Sequence, residues 1–298
     1  MSITADSVRQ LRERTGAGMM ECKRALVETN GDLDAAAELM RKQGLAKADK
    51  KASRVAAEGI IALAASADAK TAVMVEVNCE TDFVARGDDF TGFANAVAAA
   101  ALAGNPVDVE ALSALALPSG QGIDERRREL IAKIGENISV RRFVRVESAG
   151  QLGSYLHGTR IGTLVALEGG DASLARDLAM HVAASNPRYL AAADVPAADV
   201  AKERAIRIEM SQNDEKNKGK PEAVLAKIVD GGINKWLNEI TLLGQPFVKD
   251  DKQSVDKLLQ AAKAKVTRFE RLEVGAGIEK KQEDFVAEVM AQAKGAGH

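Results

Sequence analysis

Two stretches of the chain repeat the same order of patterns, and this repeat restricts the possible folds more than any other feature. In each stretch, two period-two segments that predict strands precede an amphipathic helical pattern, and a third strand pattern follows later. The strand patterns lie at 58–64, 71–78 and 138–146, and again at 153–157, 160–168 and 266–274. Both helical patterns stop at an Asn-Pro pair, Asn105-Pro106 and Asn186-Pro187. The repeat predicts an α+β fold whose core has two related subdomains with antiparallel strands.

The second unit is interrupted between its helix and its last strand. Residues 200–240 contain two arms of apolar residues at helical spacing, separated by a polar stretch from Asn213 to Pro221. Two helices joined by a polar tip predict an inserted antiparallel helical hairpin. Near the end of the chain, the apolar series Phe285, Val286, Val289 and Met290 predicts a last helix.

The first 50 residues predict three short helices. Asp32 is placed to cap the third helix, and Gly44 is placed to end it. Residues 46–55 are basic and lack an apolar period, which indicates a linker or a solvated helix. We therefore expect an N-terminal module with its linker at 1–55, core subdomain N at 56–150, core subdomain C at 151–199 and 241–278, the hairpin at 200–240, and a C-terminal helical module at 279–298.

Composition excludes several classes of protein. The 298 residues carry 41 Lys and Arg against 43 Asp and Glu, and the net charge of −2 argues against direct nucleic-acid binding, which needs an excess of cations. No apolar run is long enough to span a bilayer, and the polar N-terminus does not resemble a signal peptide. Cys22 and Cys79 are too few for a disulfide framework or a zinc site. We expect a cytoplasmic protein that binds no membrane.

The sequence contains no motif that would identify an enzyme. Phosphate loops, dinucleotide-binding glycine motifs and zinc-protease motifs are missing from it. We interpret His157 as a turn or contact residue and His181, within an apolar helix, as a buried histidine with satisfied hydrogen bonds. An enzyme whose site is assembled from distant residues stays open as an alternative, and it predicts perturbed carboxylates around His157 or His181.

One connection is longer in the first unit than in the second. In the second unit, strand and helix are joined by little more than Gly169-Gly170-Asp171, whereas the first unit has an insertion between Asn78 and Asp89 that contains Phe83 beside charged residues. Loops at strand ends often carry function on a rigid scaffold. Phe83 therefore either serves a binding role or folds back to fill the core of its own subdomain.

Six motifs, spread in order over nearly the whole chain, resemble the elongation factor Ts family. They lie at 11–23, 76–85, 134–138, 181–185, 244–248 and 274–279. The clearest are Leu11 to Met20 followed by Cys22-Lys23, and Glu76-Val77-Asn78-Cys79-Glu80-Thr81-Asp82-Phe83-Val84-Ala85. The segments 104–125 and 188–220 match less well.

The resemblance implies a guanine-nucleotide exchange factor that acts in translation elongation and is not an enzyme. Its partner would be elongation factor Tu, in the GDP-bound and nucleotide-free forms, and it would dislodge Mg²⁺ so that GDP leaves and GTP rebinds. The resemblance also implies an N-terminal module of ubiquitin-associated type, a coiled-coil form for the hairpin at 200–240, and no cofactor. The residues implied in Mg²⁺ displacement are Thr81, Asp82, Phe83 and Val84. To partner contact we assign Arg12, Met19, Met20, His157 and His181.

A third interpretation also stays open. The N-terminal module could be a ubiquitin-associated-like binding unit on a scaffold for some other partner, without any role in nucleotide exchange. This interpretation predicts partner binding that does not depend on nucleotide.

Overall fold

The computed structural model describes residues 3–279, apart from the side chains at positions 45, 47 and 49. Within these residues the chain forms eleven α-helices and three small antiparallel sheets, which confirms the α+β class. None of these helices is both long enough and apolar enough to span a bilayer. The helix predicted through Phe285 and Met290 lies outside the described residues.

Three helices form the N-terminal bundle. They are α1 (Ala5–Thr15), α2 (Met19–Glu28) and α3 (Leu33–Lys51). The Thr4 hydroxyl caps α1, and the Asp32 carboxylate accepts hydrogen bonds from the first backbone N–H groups of α3. Leu11, Cys22 and Leu26 meet in a small apolar core, which confirms the predicted three helices.

The first sheet unit follows the bundle. Its elements are β1 (Glu58–Ala65), β2 (Thr71–Cys79), α4 (Asp82–Ala85), α5 (Asp88–Gly104), α6 (Val109–Ser113), α7 (Ile123–Ile134) and β3 (Ser139–Glu147). The strands pair antiparallel in the order β1-β2-β3. Val73, Val75 and Val77 of β2 share one face and pack with Phe90 and Phe93 of α5. Helix α5 therefore covers one side of this sheet.

Helix α3 does not end at Gly44, so the predicted stop is wrong, and of the two interpretations of residues 46–55, a linker or a solvated helix, the helix is the one found as far as Lys51. The helix runs on to Lys51, and Ala48 is buried in the core of the first unit. A Cβ atom at Gly44 would lie 3.0 Å from the Cβ of Ala132 on α7. Glycine at this position allows two helices to approach closely, and the bundle packs directly on the core through α3 and α7.

The second sheet unit has the same order of elements with a long insertion. Its elements are β4 (Gln151–His157), β5 (Ile161–Glu168), α8 (Ala172–Ser185), α9 (Ala197–Asn213), α10 (Glu222–Ile240), β6 (Pro246–Phe247), β7 (Asp250–Ser254), α11 (Val255–Ala261) and β8 (Lys265–Glu273). The sheet order is β4-β5-β8, antiparallel, so the last strand pairs across the insertion as predicted. Asn105 and Asn186 end α5 and α8 in the left-handed conformation, with φ of 44° and 45°.

The two three-stranded sheets pack against each other. Ile61 and Met74 of the first sheet meet Leu164 and Leu272 of the second in one buried cluster. A Cβ atom at Gly162 would lie 2.7 Å from Cγ2 of Ile61 and 2.8 Å from the Met74 sulfur, so a side chain here would force these buried neighbours to shift. Helix, sheet, sheet and helix therefore form four layers around β2 and β5.

A buried carboxylate ties β2 to the end of β8. Glu76 is fully buried and accepts hydrogen bonds from Arg141 at 2.9 Å, Arg142 at 2.5 Å and the Gly275 N–H at 2.8 Å. Burial acts to raise the pKa of Glu76, but these donors outweigh it and the pKa lies below its ordinary value. The charge is therefore retained inside the protein because it is fully hydrogen-bonded.

Helices α9 and α10 form an antiparallel hairpin that extends from the second unit. Their long exposed faces leave only Ser211, Val229 and Ile233 buried along the two helices.

We predict that a short Gly/Ser linker in place of residues 200–238 leaves a chain that unfolds cooperatively, since loop closure changes stability by only about 0.6 kcal/mol per doubling of length. Thermal unfolding followed by circular dichroism tests this. Loss of the cooperative transition would show that the hairpin belongs to the core.

Candidate functional site

The inserted connection between β2 and α5 presents Phe83 to solvent. Thr81 caps the single turn of α4, and its hydroxyl accepts a hydrogen bond from the Val84 N–H at 3.4 Å. The Phe83 side chain is 82% exposed, although Phe90 a few residues later is fully buried. The alternative in which Phe83 fills the core is therefore wrong.

The residues around Phe83 hold the turn in place. Ala85 is buried, and the half-buried Val84 packs against the same core. Asp82 pairs with Arg86 at 2.9 Å on the exposed side. Phe83 therefore points outward from a turn whose other apolar residues point inward.

The start of the segment is fixed by a carboxylate from the turn between α7 and β3. Glu136 accepts hydrogen bonds from the Glu80 N–H at 3.1 Å, the Thr81 N–H at 3.0 Å and the Thr81 hydroxyl at 2.6 Å. Glu80 in turn accepts from the Asn137 N–H at 2.6 Å and pairs with Arg54 at 3.0 Å. These bonds anchor the backbone directly before Phe83.

Cys79, at the end of β2, is a structural thiol. It is fully buried, and its Sγ donates to the Thr81 carbonyl at 3.1 Å. Burial, reinforced by the negative charge of Glu136, raises the pKa of the Cys79 thiol to about 12. The thiol therefore stays protonated at neutral pH, which argues against a nucleophilic role.

The predicted contact residues of the N-terminal bundle are all exposed. Arg12 lies on the outer side of α1, and Met19 and Met20 begin α2 with 49% and 75% of their surface exposed. Lys133 of α7 reaches the turn before α2 and also pairs with Asp89 of α5 at 2.7 Å. The start of α2 is thereby linked to α5, the helix that follows residues 81–84, which we call the Phe83 segment.

His157 is exposed at the end of β4, as expected of a contact residue. The Tyr155 hydroxyl lies 3.3 Å from its Nδ1. The turn after it is tied to β1 by an ion pair between Arg160 and Glu58 at 2.6 Å. Because Glu58 is opposite Cys79 in the sheet, this turn lies at the same end of the core as the Phe83 segment.

His181 has no exposed surface with which to contact a partner. Its Nε2 lies 3.0 Å from Oε1 of Gln245, and its Nδ1 accepts from the Val248 N–H at 3.2 Å. Burial lowers the pKa of His181, opposed in part by the bond with Gln245. The interpretation as a satisfied buried histidine fits this geometry, and a direct partner contact by His181 does not.

Two features of the described residues bear on the enzyme alternative. Among residues 3–279, no group of three or more His, Cys, Asp or Glu side chains could hold a metal ion. The carboxyl groups with a shifted pKa in that part of the chain all have it lowered, through hydrogen bonds in which no histidine takes part; they are Glu38, Asp68, Glu76 and Asp89. None of these four groups is bonded to His157 or His181, so they do not form the cluster that the enzyme alternative predicts.

Comparison with known proteins identifies the family. The sequence matches the family described as Elongation factor TS over residues 80–276. Relatives named Elongation factor Ts are 59% identical in Alkalilimnicola ehrlichii and in Methylococcus capsulatus, and 58% identical in Thioalkalivibrio sulfidiphilus. Each comparison covers 99% of this chain and at least 99% of the relative. The chain belongs to the elongation factor Ts family. Membership supports a role in translation elongation during protein biosynthesis.

Sequence reasoning missed the residues that frame the Phe83 segment. Glu136 and Asn137 lie within the motif 134–138, which contributed to the elongation factor Ts resemblance but received no role of its own. Glu80 lies directly before the segment in the chain. The missing information was spatial, because about 55 residues separate Glu136 from Thr81 in the sequence and only the fold brings them together.

The exposure of Phe83 leads to a prediction about stability. We expect Phe83→Ala to leave the melting temperature nearly unchanged, because no buried cavity is created. Phe90→Ala, the matched change at a buried phenylalanine of the same unit, should cost about 3–5 kcal/mol. Differential scanning calorimetry of both variants decides the matter. A comparable drop in melting temperature in both would mean that Phe83 supports the fold.

Burial of His181 leads to a prediction about pH. Near its ordinary pKa of 6.5 the unfolded imidazole takes up a proton that the folded one, with its lowered pKa, does not. The unfolded state therefore binds more protons, and the free energy of unfolding should fall below about pH 6.5, by up to about 1.4 kcal/mol per pH unit, until the folded pKa is reached.

Urea unfolding at a series of pH values from 7.5 to 5.5 measures this contribution. We expect His181→Gln to remove it and the exposed control His157→Gln to retain it. Identical pH dependence in wild type and His181→Gln would refute the assignment.

Proposed function

We propose that this chain is a guanine-nucleotide exchange factor that acts on elongation factor Tu. The observation that carries the proposal is a phenylalanine, 82% exposed, on a turn whose backbone is fixed by Glu136 and whose neighbours pack into the core. An exposed aromatic side chain on a rigid frame suits insertion into a partner, because little conformational freedom is lost on binding. Family membership supports the same partner and role.

The proposed mechanism acts on the metal of the partner. In GTPases with a phosphate loop, Mg²⁺ bridges protein hydroxyls and nucleotide phosphates. We propose that Thr81, Asp82, Phe83 and Val84 enter beside that site and displace the elements that hold Mg²⁺. Loss of the ion removes positive charge that stabilises the diphosphate, so GDP leaves and GTP can rebind. The exchange factor itself supplies no cofactor and forms no covalent bond.

Thermodynamic coupling explains how the exchange factor is released. If it weakens GDP binding to elongation factor Tu by some factor, nucleotide weakens its own binding by the same factor. Incoming nucleotide therefore displaces it, and one molecule can act repeatedly.

Further contacts would come from two neighbouring elements. We propose that Arg12, Met19 and Met20 of the bundle, and His157 at the turn after β4, bind elongation factor Tu alongside the Phe83 segment. We also propose the division of the chain that the sequence predicted, with one change: α3 continues to Lys51, so most of the segment 46–55 belongs to the last helix of the bundle.

The measurement that tests the function is release of labelled GDP from elongation factor Tu. We expect the wild-type chain to accelerate release, and excess Mg²⁺ to oppose the acceleration. Binding without acceleration would favour the alternative of a scaffold with a ubiquitin-associated-like module. No effect and no binding would overturn the proposal.

Phe83 should affect exchange more than it affects binding. If Phe83 were only an interface anchor, its loss would cost about 2 kcal/mol of binding free energy. Because we propose that it also acts on the metal site, its loss should lower the maximal rate of GDP release as well. We expect elongation factor Tu to release GDP more slowly with Phe83→Ala than with the wild-type chain, even when the variant is at saturating concentration. Excess Mg²⁺ should oppose the variant less than it opposes the wild-type chain. The control is Val107→Ala, a residue 90% exposed beyond the other end of α5. Equal maximal rates for Phe83→Ala and wild type would contradict the proposed mechanism.

Met20 tests the contribution of the bundle. Because its side chain is 75% exposed, Met20→Ala should not alter thermal unfolding. We expect affinity for nucleotide-free elongation factor Tu to fall roughly fivefold, about 1 kcal/mol, while the maximal rate of GDP release stays near that of wild type. Isothermal titration calorimetry and release kinetics separate the two effects. Unchanged affinity would remove Met20 from the interface.

A further inference from the structure

The turn between α7 and β3 holds the residues that precede α4, although it is not part of the proposed interface. Its residue Glu136 is half-buried, and its two carboxylate oxygens receive the donors that precede α4: the Glu80 N–H, the Thr81 N–H and the Thr81 hydroxyl, at 3.1, 3.0 and 2.6 Å. Three hydrogen bonds from two consecutive residues fix both the position and the direction of the chain at this point. Bonds to an ionised acceptor are about twice as strong as bonds between neutral groups.

The connection works in both directions. Glu80 accepts from the Asn137 N–H at 2.6 Å, so each of the two acidic residues binds the backbone of the other's segment. Glu80 keeps only 16% of its side-chain surface and pairs with Arg54, whose carbonyl accepts from the Asn137 amide at 2.7 Å. Arg54 therefore supplies a positive charge directly beside the Glu80 carboxylate.

Phe83 depends on this frame because its own side chain packs against little. An exposed side chain contributes few contacts that could fix its position, so the backbone on either side must do so. On the far side, Ala85 is buried and Val84 is packed against the core. On the near side, the bonds to Glu136 are the anchor. Without them the Thr81 cap would lose its orientation, and α4 has only one turn with which to keep it.

We propose that Glu136 is a positioning residue for nucleotide exchange: it holds Thr81 so that Phe83 is presented in the orientation that the partner requires. Glu136 acts through the segment and not by touching the nucleotide or its metal. This inference rests on the proposed function and adds a residue to it. It assigns a purpose to the three hydrogen bonds that hold the backbone before Phe83.

The test compares Glu136→Gln with the matched control Glu129→Gln, an ion-paired glutamate on α7. An amide keeps the size of the side chain but presents an NH₂ group where one carboxylate oxygen accepted. At saturating concentrations, we expect Glu136→Gln to lower the maximal rate of GDP release from elongation factor Tu about tenfold to a hundredfold, since small misplacements of a reacting group cost this much. Glu129→Gln should match wild type.

Two readouts separate positioning from a loss of folding. In the free protein, hydrogen exchange at the Glu80 and Thr81 amides should speed up in Glu136→Gln, while amides of α5 keep the wild-type rate. In the background of Phe83→Ala, the Glu136→Gln change should have no further effect on release, because both act through the same side chain. If Glu136→Gln does not fold, Thr81→Val and Thr81→Ser replace it. The serine variant keeps the hydroxyl, so it should accelerate GDP release from elongation factor Tu more than the valine variant does.

The outcomes distinguish this inference from the function on which it rests. A wild-type chain that does not accelerate GDP release would overturn the proposed function and this inference together. Acceleration by wild type and equally by Glu136→Gln, or fully additive effects of Glu136→Gln and Phe83→Ala, would overturn the role of Glu136 alone.

Discussion

The packing of one three-stranded sheet on the other supports everything else in this molecule. Each sheet has a helix on one face and the other sheet on the opposite face, so β2 and β5 are buried on both sides. Neither sheet could bury enough apolar surface alone. The contact depends on small residues: Gly162 lies where any side chain would collide with Ile61 and Met74. A protein with 3% aromatic residues thereby gains a close-packed core.

This rigid core places exposed groups at the ends of its strands. The Phe83 segment follows β2, and the His157 turn follows β4, at the same end of the paired sheets. The bundle adds Met19 and Met20 from the side, and it does so in a fixed position because α3 packs along α7. Under the proposed function, a partner would therefore meet three prearranged regions. Prearrangement reduces the entropy lost on binding, which favours a multi-point interface of modest individual contacts.

The sequence predicted the parts of the fold that follow from local periodicity. It correctly predicted the six core strands, and it predicted α5 and α8 with their ends at Asn105 and Asn186. Hydrophobic periodicity and helix-ending residues depend only on a few neighbouring positions, so the sequence alone shows them. Helix α7 was missed because charged residues dominate its exposed face. Gly44 was misread because glycine ends a helix in one context and permits close packing in another, and only the position of Ala132 decides between them. The role of Glu136 depends on a long-range contact that no local pattern encodes.

The central claim is that Phe83 is presented to solvent on a fixed turn and becomes buried in the partner. The chain has a single tryptophan, Trp236, so Phe83→Trp in a Trp236→Phe background places the only indole at the site. Fluorescence of this variant, alone and with nucleotide-free elongation factor Tu, measures the claim directly. The account predicts emission typical of an exposed indole in the free protein, with strong quenching by iodide, and a blue shift with loss of quenching in the complex. A buried indole in the free protein, or unchanged emission in the complex, would contradict it.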